Sequence, residues 1–130
     1  MTTYREICDI NDKVKDNDII QGKIIRKSNL FETKQKTHYF WCIITDKENE
    51  IQHEKKEPNQ IKIMFWHPYS NVFHQTLKIG KIYDFNKIHV RKTNRRYHNH
   101  SYQLTIGKKT TIKKKKFLTM MKNGVLCNPS

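Results

Sequence analysis

The sequence predicts an all-β domain with short helices, folded as a single five-stranded Greek-key barrel that has a helix between its third and fourth strands. Short runs in which every second residue is apolar recur along the chain, as in half-buried strands. Glycine or proline stands at the corners between several of these runs. Between the third and fourth runs, Tyr69–Leu77 has the pattern of a short helix with Val72, Phe73 and Thr76 on one side.

The composition is that of one small folded domain. A chain of 130 residues is long enough for one core. The hydrophobic fraction of 35% is low, but 6 Phe, 6 Tyr and 2 Trp indicate a real core. Cys8, Cys42 and Cys127 are widely spaced without a CxxC motif, which indicates reduced, unreactive thiols of an intracellular protein. No apolar run approaches the ~20 residues that span a bilayer, and the N-terminal residues lack a signal-peptide apolar core.

Basic residues dominate the charge. The chain has 26 Lys and Arg against 12 Asp and Glu, a formal net charge of +14. Such a domain favours a polyanionic partner, because counterions released from phosphates drive binding. Composition alone also allows the alternative that the protein is merely basic.

The N-terminal third contains one predicted helix, one strand and one loop. Thr2–Asp12 has the spacing of a short helix whose apolar residues could plug one end of a barrel. Ile19–Lys27 alternates as the first strand, and Gly22 inside it indicates a bulge or a sharp coil. Ser28–Thr37 is a polar, basic loop. Phe31 in that loop is either a partner contact or an anchor folded back onto the domain.

The second and third predicted strands lie on either side of a charged connection, residues 46–60. In His38–Asp46 the side chains of Phe40, Cys42 and Ile44 share one face, and those of Tyr39, Trp41 and Ile43 share the other. In Ile61–Trp66 the inward set is Ile61, Ile63 and Phe65, and the other set is Lys62, Met64 and Trp66. The second set suits either an outward platform for a ligand or a strand buried on both sides, with Lys62 reaching to solvent.

The last part of the chain supplies the fourth and fifth strands. Lys81–Val90 alternates as one strand, Arg91–His100 is a second polar loop, and Ser101–Ile106 closes the set. The run Lys113–Lys116 and the segment Phe117–Met121 could together form a basic C-terminal helix. That run is a solvated tail, a nuclear-localisation patch or an extra phosphate contact. We therefore divide the chain into a barrel domain, residues 1–110, and a basic C-terminal segment, residues 111–130.

Five short strands with a helix between the third and fourth are the layout of the OB-fold. An SH3-like barrel is the main alternative, but it has no helix at that point. An OB-fold binds single strands across its second and third strands, between the loops that follow its first and fourth strands. Aromatic rings would stack on bases, and cations would follow the backbone.

Three segments carry a resemblance to a known family. Thr37–Asp46 resembles the second strand of the telomere-end-binding OB domains of the protection-of-telomeres family. Ile63–Trp66 resembles their third strand, which ends in a ligand-stacking aromatic residue, and Lys78–Ile88 resembles the stretch that follows their helix. The same strand pattern is similar to the DNA-binding domains of the replication protein A large subunit. The chain departs from the telomeric pattern at Lys81, where the family usually has an acid.

The resemblance implies non-catalytic binding of single-stranded DNA, specifically the G-rich telomeric 3′ overhang, in the nucleus at chromosome ends. It further implies other telomere proteins as partners, with no cofactor and no membrane. Family members commonly carry two OB domains, so the chain is either a fragment or a short member. Trp66 aligns with the stacking aromatic residue of strand three, and Tyr97 lies in the same loop as a second one. The predicted contacts are Phe31, Lys34, Lys36, Tyr39, Trp41, Lys62, Met64, Trp66, Arg91, Arg95, Arg96, Tyr97, His98, His100 and Gln103.

Other functions have less support in the sequence. His98 and His100 could share a metal, but no third ligand is suitably spaced with them. No catalytic triad, paired carboxylates or glycine-rich phosphate loop is apparent, so we expect no enzyme, no catalytic residue and no metal. Two further alternatives remain open: single-strand binding without sequence preference, as in replication protein A, and an OB-fold that binds a peptide as a protein-interaction adaptor.

Overall fold

The computed structural model describes residues 3–15, 18–46, 59–93 and 100–115. The described residues form nine strands, one 3-10 helix and one α-helix. The strands are β1 (Thr3–Arg5), β2 (Asp18–Lys27), β3 (Phe31–Glu32), β4 (His38–Thr45), β5 (Gln60–Phe65), β6 (Ile82–Asn86), β7 (His89–Lys92), β8 (Tyr102–Thr105) and β9 (Thr111–Lys114). The 3-10 helix spans Ile7–Asp9, and α1 spans Ser70–Thr76, between β5 and β6.

The strands make one curled sheet that closes on itself. Its order is β7-β8-β5-β4-β2-β6-β9. The β5–β8 pair is parallel, whereas β2–β4, β4–β5, β2–β6 and β7–β8 are antiparallel. Because β6 and β7 are consecutive parts of one segment, that segment pairs with β2 at its start and with β8 at its end, which brings the sheet round into a barrel.

The fourth predicted strand is broken into β6 and β7 by a kink. Lys87 has a φ of 56°, in the left-handed region that non-glycine residues adopt infrequently. The kink changes which residues face inward: Tyr83 and Phe85 are buried in β6, and Ile88 is buried after the kink. In an unbroken strand, Ile88 would lie on the face opposite to Tyr83 and Phe85. One residue of left-handed backbone therefore keeps apolar side chains inside while the strand changes direction.

The core lies inside the barrel and uses one face of each strand. The rings of Phe40 and Phe65, which are directly opposite each other on β4 and β5, stack with centroids 4.4 Å apart. The other residues at 0% exposure inside the barrel include Ile20, Ile24, Cys42, Ile44, Ile63, Phe85 and Leu104. The alternation of the second predicted strand therefore separates its buried residues from its outward ones, and Ile61, Ile63 and Phe65 of the third are inward as predicted.

Two segments close the ends of the barrel. At one end, Phe73 of α1 and Leu77, which follows the helix, pack on the core. The Lys27 ammonium donates hydrogen bonds to the carbonyls of His74 and Leu77, 2.9 and 3.0 Å away. These carbonyls lie in the last turn of the helix, where a cation is favourable. Val72, which the sequence placed with Phe73, is instead 61% exposed.

At the other end, the N-terminal segment buries Ile7 and Ile10, and the Ile7 N–H donates a hydrogen bond to Asp46 Oδ2. The predicted plug is therefore present for Ile7 and Ile10 but not for Tyr4, and the predicted helix over Thr2–Asp12 is wrong, since only Ile7–Asp9 forms a 3-10 helix. Residues 3–5 pair with the start of β2 as a parallel strand, because the edge of that long strand is open there. Tyr4 is exposed and bonds to Asp84.

The described C-terminal residues extend the sheet. Strand β9 pairs with β6, so the basic run begins in a strand and the sheet continues past residue 110. The rest of the predicted C-terminal helix and the connection over residues 47–58 lie outside the described residues. In the part of the chain that is described, no helix is long and apolar enough to cross a membrane.

Strand β2 contains an irregularity, though not at the predicted position. A Cβ on Gly22 would lie 2.8 Å from Ile44 Cδ1, so glycine is needed there for close packing of two strands. The register shift falls between Ile24, which pairs with Ile44, and Arg26, which pairs with Ile43. Ile25 is therefore the extra residue of a β-bulge.

Candidate nucleic-acid interface

The outward face of β4 and β5 carries four of the described candidate residues, Tyr39, Trp41, Lys62 and Met64. Tyr39, Trp41 and Ile43 alternate with the buried residues of β4, and each is half-buried. On the neighbouring strand, Met64 is opposite Trp41 and Lys62 is opposite Ile43. Directly opposite residues of antiparallel strands point to the same side, so these side chains form one continuous surface.

Three aromatic rings cross one end of this surface, and we call Phe31, Tyr39 and Trp66 the aromatic row. Phe31 lies on β3 directly opposite Tyr39, and their ring centroids are 5.3 Å apart at an interplanar angle of 34°. Tyr39 and Trp66 are also 5.3 Å apart, at 32°. The two end rings remain accessible, with Phe31 40% and Trp66 45% exposed. Three outward rings in contact make an apolar ridge of the kind on which bases stack.

Trp41 lies two residues from Tyr39 on β4 and has a different environment. The Arg26 guanidinium carbon is 5.5 Å from the centroid of its ring, and the Lys62 ammonium is 5.2 Å away. Burial, together with the charge of Arg26, lowers the pKa of Lys62 from its ordinary value. We call Arg26 and Lys62 the cation pair.

Three other predicted residues lie on or beside this face. Met64 is 8% exposed and pairs with Trp41 on one side and Thr105 on the other. It therefore packs beneath the surface and leaves little area for contact with a ligand. Gln103 on β8 is half-buried and pairs with the exposed Arg91 on β7. Gln103 and Arg91 therefore point to the same side of the sheet.

Lys34 and Lys36 lie in the tight loop that joins β3 to β4. The loop is closed by the Thr33 amide, which donates to the Thr37 carbonyl, and by the two threonine hydroxyls, whose oxygens are 2.7 Å apart. Lys36 has a φ of 65°, and both lysines are exposed. The loop thus holds two accessible cations next to the Phe31 end of the aromatic row.

His100 is in the interior, which corrects its prediction as a ligand contact. It is 3% exposed; its Nε2 donates to the Ile7 carbonyl at 2.9 Å, and its Nδ1 accepts from the Tyr102 amide at 3.0 Å. A carbonyl can only accept and an amide N–H can only donate, so the ring is a neutral tautomer with its proton on Nε2. The residue ties the end of the β7–β8 loop to the N-terminal plug.

The remaining predicted contacts, Arg95, Arg96, Tyr97 and His98, lie outside the described residues. One residue of the surface was missed by the sequence interpretation. Arg26 was assigned only to the first strand, because strict alternation turns it to the same side as the buried Ile24. The β-bulge, which alternation does not reveal, turns it outward instead.

Two other groups of reactive side chains lie among the described residues. Burial raises the pKa of the Cys42 thiol to about 12, so it is protonated and inert. At the surface, Glu6, Cys8 and Asp9 bring ligand-type atoms within 4.8 Å of one another, an arrangement common among exposed acidic groups without any metal.

The sequence matches the model of one protein family over residues 7–113, described as the N-terminal OB domain of protection of telomeres protein 1. That match covers most of the chain and includes β2 to β8. No curated protein sequence matches the chain significantly.

Several solved structures share the fold. DNA-binding domain A of Saccharomyces cerevisiae replication protein A superposes with a TM-score of 0.64 at 14% identity, over 88% of this chain and 96% of that one. Schizosaccharomyces pombe Pot1pC bound to single-stranded DNA gives 0.59 at 11% identity, over 87% and 86%. A replication protein A heterotrimer bound to single-stranded DNA gives 0.61 at 17%, over 78% of this chain but only 22% of the matched chain. At such identities the likeness establishes the fold, which is the predicted OB-fold.

Proposed function

The chain belongs to the family of the protection of telomeres protein 1 N-terminal OB domain, and from this premise we propose that it binds single-stranded DNA without catalysis. The more specific proposal is that its ligand is the G-rich telomeric 3′ overhang and that it protects chromosome ends in the nucleus. Other telomere proteins are its proposed protein partners. The chain spans about a fifth of the replication protein A chain that it matches. Any function of such a longer protein is therefore only proposed for this chain.

The aromatic row is the observation that carries this proposal. Exposing large apolar rings to water is unfavourable, so a row of three outward rings indicates a surface that binds a ligand. Every base presents a π-face, and each stack on an aromatic side chain stabilises binding by about 1–3 kcal/mol. Tyr39 already contacts a ring on each side, so the accessible faces of Phe31 and Trp66 are the ones we propose for bases.

The charges around the row support a nucleic acid over an apolar peptide. Exposed or half-buried cations lie on both sides of the aromatic row. Two are in the β3–β4 loop, and the other three are on β2, β5 and β7. These residues are Lys34, Lys36, Arg26, Lys62 and Arg91. A phosphate backbone that crosses the face would meet positive charge on either side of the rings, in a molecule with a net charge of +14.

Sequence preference requires donors that reach base edges, because stacking tolerates any base. Guanine presents O6 and N7 as acceptors, for which lysine and arginine are the usual donors. Lys34, Lys36, Arg91 and Gln103 are the described candidates, and Arg95, Arg96 and Asn99 are further candidates from the sequence. Replacing one guanine of the repeat should therefore weaken binding tenfold or more at one or two positions, at about 1–3 kcal/mol per lost donor pair.

The test is a titration of the purified chain with four ligands of equal length: a G-rich telomeric repeat, poly(dT), the repeat as duplex, and the repeat as RNA. The proposal predicts the tightest binding for the G-rich single strand, and at least equal binding when the repeat lies at the 3′ end. Preference for duplex or RNA would contradict it.

Single-strand binding without sequence preference is the second candidate. Its support is that the solved structures that share the fold include replication protein A domains, and that stacking on the aromatic row does not depend on base identity. Equal affinity for poly(dT) and the G-rich repeat would favour this function. Failure to bind any of the four ligands would leave the protein-interaction adaptor as the remaining alternative.

A further inference from the structure

We infer that the cation pair on Trp41 is a phosphate site, which holds one phosphodiester of a bound single strand, and that Arg26 is a ligand-binding residue. This inference rests on the proposed function and deepens it, because it assigns the backbone of the strand to one part of the face. It also gives Trp41 a role different from base stacking.

The β-bulge creates the site. With regular pairing after Ile24 and Ile44, Arg26 would lie opposite the buried Cys42. The extra Ile25 puts Arg26 opposite Ile43 instead, and Arg26 is exposed while Ile24 is fully buried. Bulges of this kind change the direction of a side chain next to functional sites.

The pairing on the other side of β4 completes the arrangement. Ile43 pairs with Arg26 on β2 and with Lys62 on β5, so the two cations come from opposite neighbours of the same residue. Both reach the indole of Trp41, at 5.5 and 5.2 Å from the ring centroid. The electron-rich ring attracts each of them and holds them in place.

Within the described part of the chain, neither cation forms an ion pair with an acidic side chain. The ion pair found among these residues joins Arg5 to Asp18 at the start of β2, and Arg26 and Lys62 form none. Two like charges therefore share one ring. Burial is the larger cause of the lowered pKa of Lys62, and the charge of Arg26 lowers it further; that second effect is a repulsion that a bound anion would offset.

A phosphate fits this site better than a base. Two cations already lie close to the ring of Trp41, so a base that stacked there would have to compete with them. Successive outward residues of a strand are about 7 Å apart, so the site lies one step from the aromatic row, which offers rings without such cations. A strand would thus run with bases over the aromatic row and backbone over the cation pair.

The test compares the full-length wild type with R26Q/K62Q, which removes both charges and keeps the approximate side-chain size. The matched control is K108Q/K109Q, which removes two charges from the exposed turn between β8 and β9. Melting temperatures establish that each variant is folded. Binding of the G-rich single strand is measured over a salt series, and the slope for R26Q/K62Q should become shallower by roughly 0.7, the value for the one phosphate that the pair holds.

A scan with neutral methylphosphonate linkages identifies the phosphate. The wild type and the control should lose affinity several-fold when one particular linkage is neutral, and R26Q/K62Q should be insensitive to that same substitution. If R26Q/K62Q keeps the wild-type slope and linkage profile, the inference is wrong while the proposed function stands.

If the wild type binds no single strand, the proposed function is wrong, and inorganic pyrophosphate then decides the inference. It should shift the NMR signal of the Trp41 indole N–H in the wild type and in the control, but not in R26Q/K62Q. No shift in the wild type, or equal shifts in all three proteins, would overturn the phosphate site.

Discussion

Phe65 and Trp66 are neighbours in the chain, yet Phe65 is fully buried and Trp66 is 45% exposed. Phe65 stacks on Phe40 inside the barrel, whereas Trp66 ends the aromatic row. Period-2 alternation in the sequence separated these two roles correctly. At the scale of single residues, the sequence predicts burial where the alternation along one strand alone determines which side chains face inward.

Substitution of the two aromatic residues should therefore give opposite phenotypes. Trp66→Ala should weaken single-strand binding by about 1–3 kcal/mol and leave the melting temperature nearly unchanged. Phe65→Ala should lower the free energy of unfolding by roughly 3–5 kcal/mol through the cavity that it leaves. Binding titrations and denaturant unfolding of both variants measure this, and exchanged phenotypes would mean that the two faces are inverted.

His100 illustrates what local pattern cannot reveal. The residue stands in a polar, basic loop sequence, which indicated a ligand contact, but its Nε2 donates to Ile7, 93 positions earlier. Burial that depends on such a distant partner leaves no trace in the neighbouring residues. Arg26 was missed for a similar reason, because only the pairing with β4 reveals the bulge.

His100→Ala should destabilise the fold by about 2–4 kcal/mol, because it leaves the Ile7 carbonyl and the Tyr102 amide without a partner in the interior. Its effect on strand affinity, measured well below the melting temperature, should be small. Unchanged stability with a large loss of binding would restore the role that the sequence suggested.

At the scale of elements, the sequence predicted strands and α1 well but not the irregular joints between them. The N-terminal segment has helical spacing, yet it pairs with the free edge at the start of β2 because tertiary contacts outweigh weak local preferences. The break between β6 and β7 depends on one left-handed residue, Lys87, which nothing in its sequence neighbourhood identifies.

Contacts of the Asp18 carboxylate hold the start of β2 in place, and they make the stability of the fold depend on pH. The Lys15 amide and the Arg5 guanidinium donate to its carboxylate, and these contacts lower the pKa of Asp18. Because the pKa of Asp18 is lower in the folded protein, its carboxylate stabilises the fold at pH values above the ordinary pKa of about 3.9. This stabilisation is lost as the pH falls through the pKa of Asp18 in the folded state.

Asp18→Asn should thus destabilise the protein near neutral pH and reduce the loss of stability on acidification. Thermal melts of wild type and Asp18→Asn at pH 7 and at pH 3 measure the difference, with Asp12→Asn, at an exposed position, as the control. Parallel pH profiles for wild type and Asp18→Asn would contradict this role.

For the whole molecule, charge and fold act together. The barrel holds the aromatic row and the surrounding cations on one face, and the net charge of +14 attracts a polyanion to the molecule as a whole. Composition alone predicted the attraction. Which cations lie on the same face depends on the closure of the barrel, where β2, β5 and β7 contribute from distant parts of the chain.

Single-strand binding should accordingly be salt-sensitive. If about 4–6 phosphates are neutralised, the slope of log K against log salt should be roughly −3 to −4. Anisotropy titrations at several salt concentrations give the slope directly. Tight binding with a slope near zero would exclude a basic strand-binding face.

The most direct measurement of where the strand binds is a set of backbone and indole NMR spectra of the labelled chain, recorded with and without a saturating G-rich single strand. We expect the largest shifts at Phe31, Tyr39, Trp41 and Trp66, including both indole N–H signals, with smaller shifts in α1 and β9. Large shifts confined to α1 and β9, with the aromatic row unchanged, would contradict this expectation.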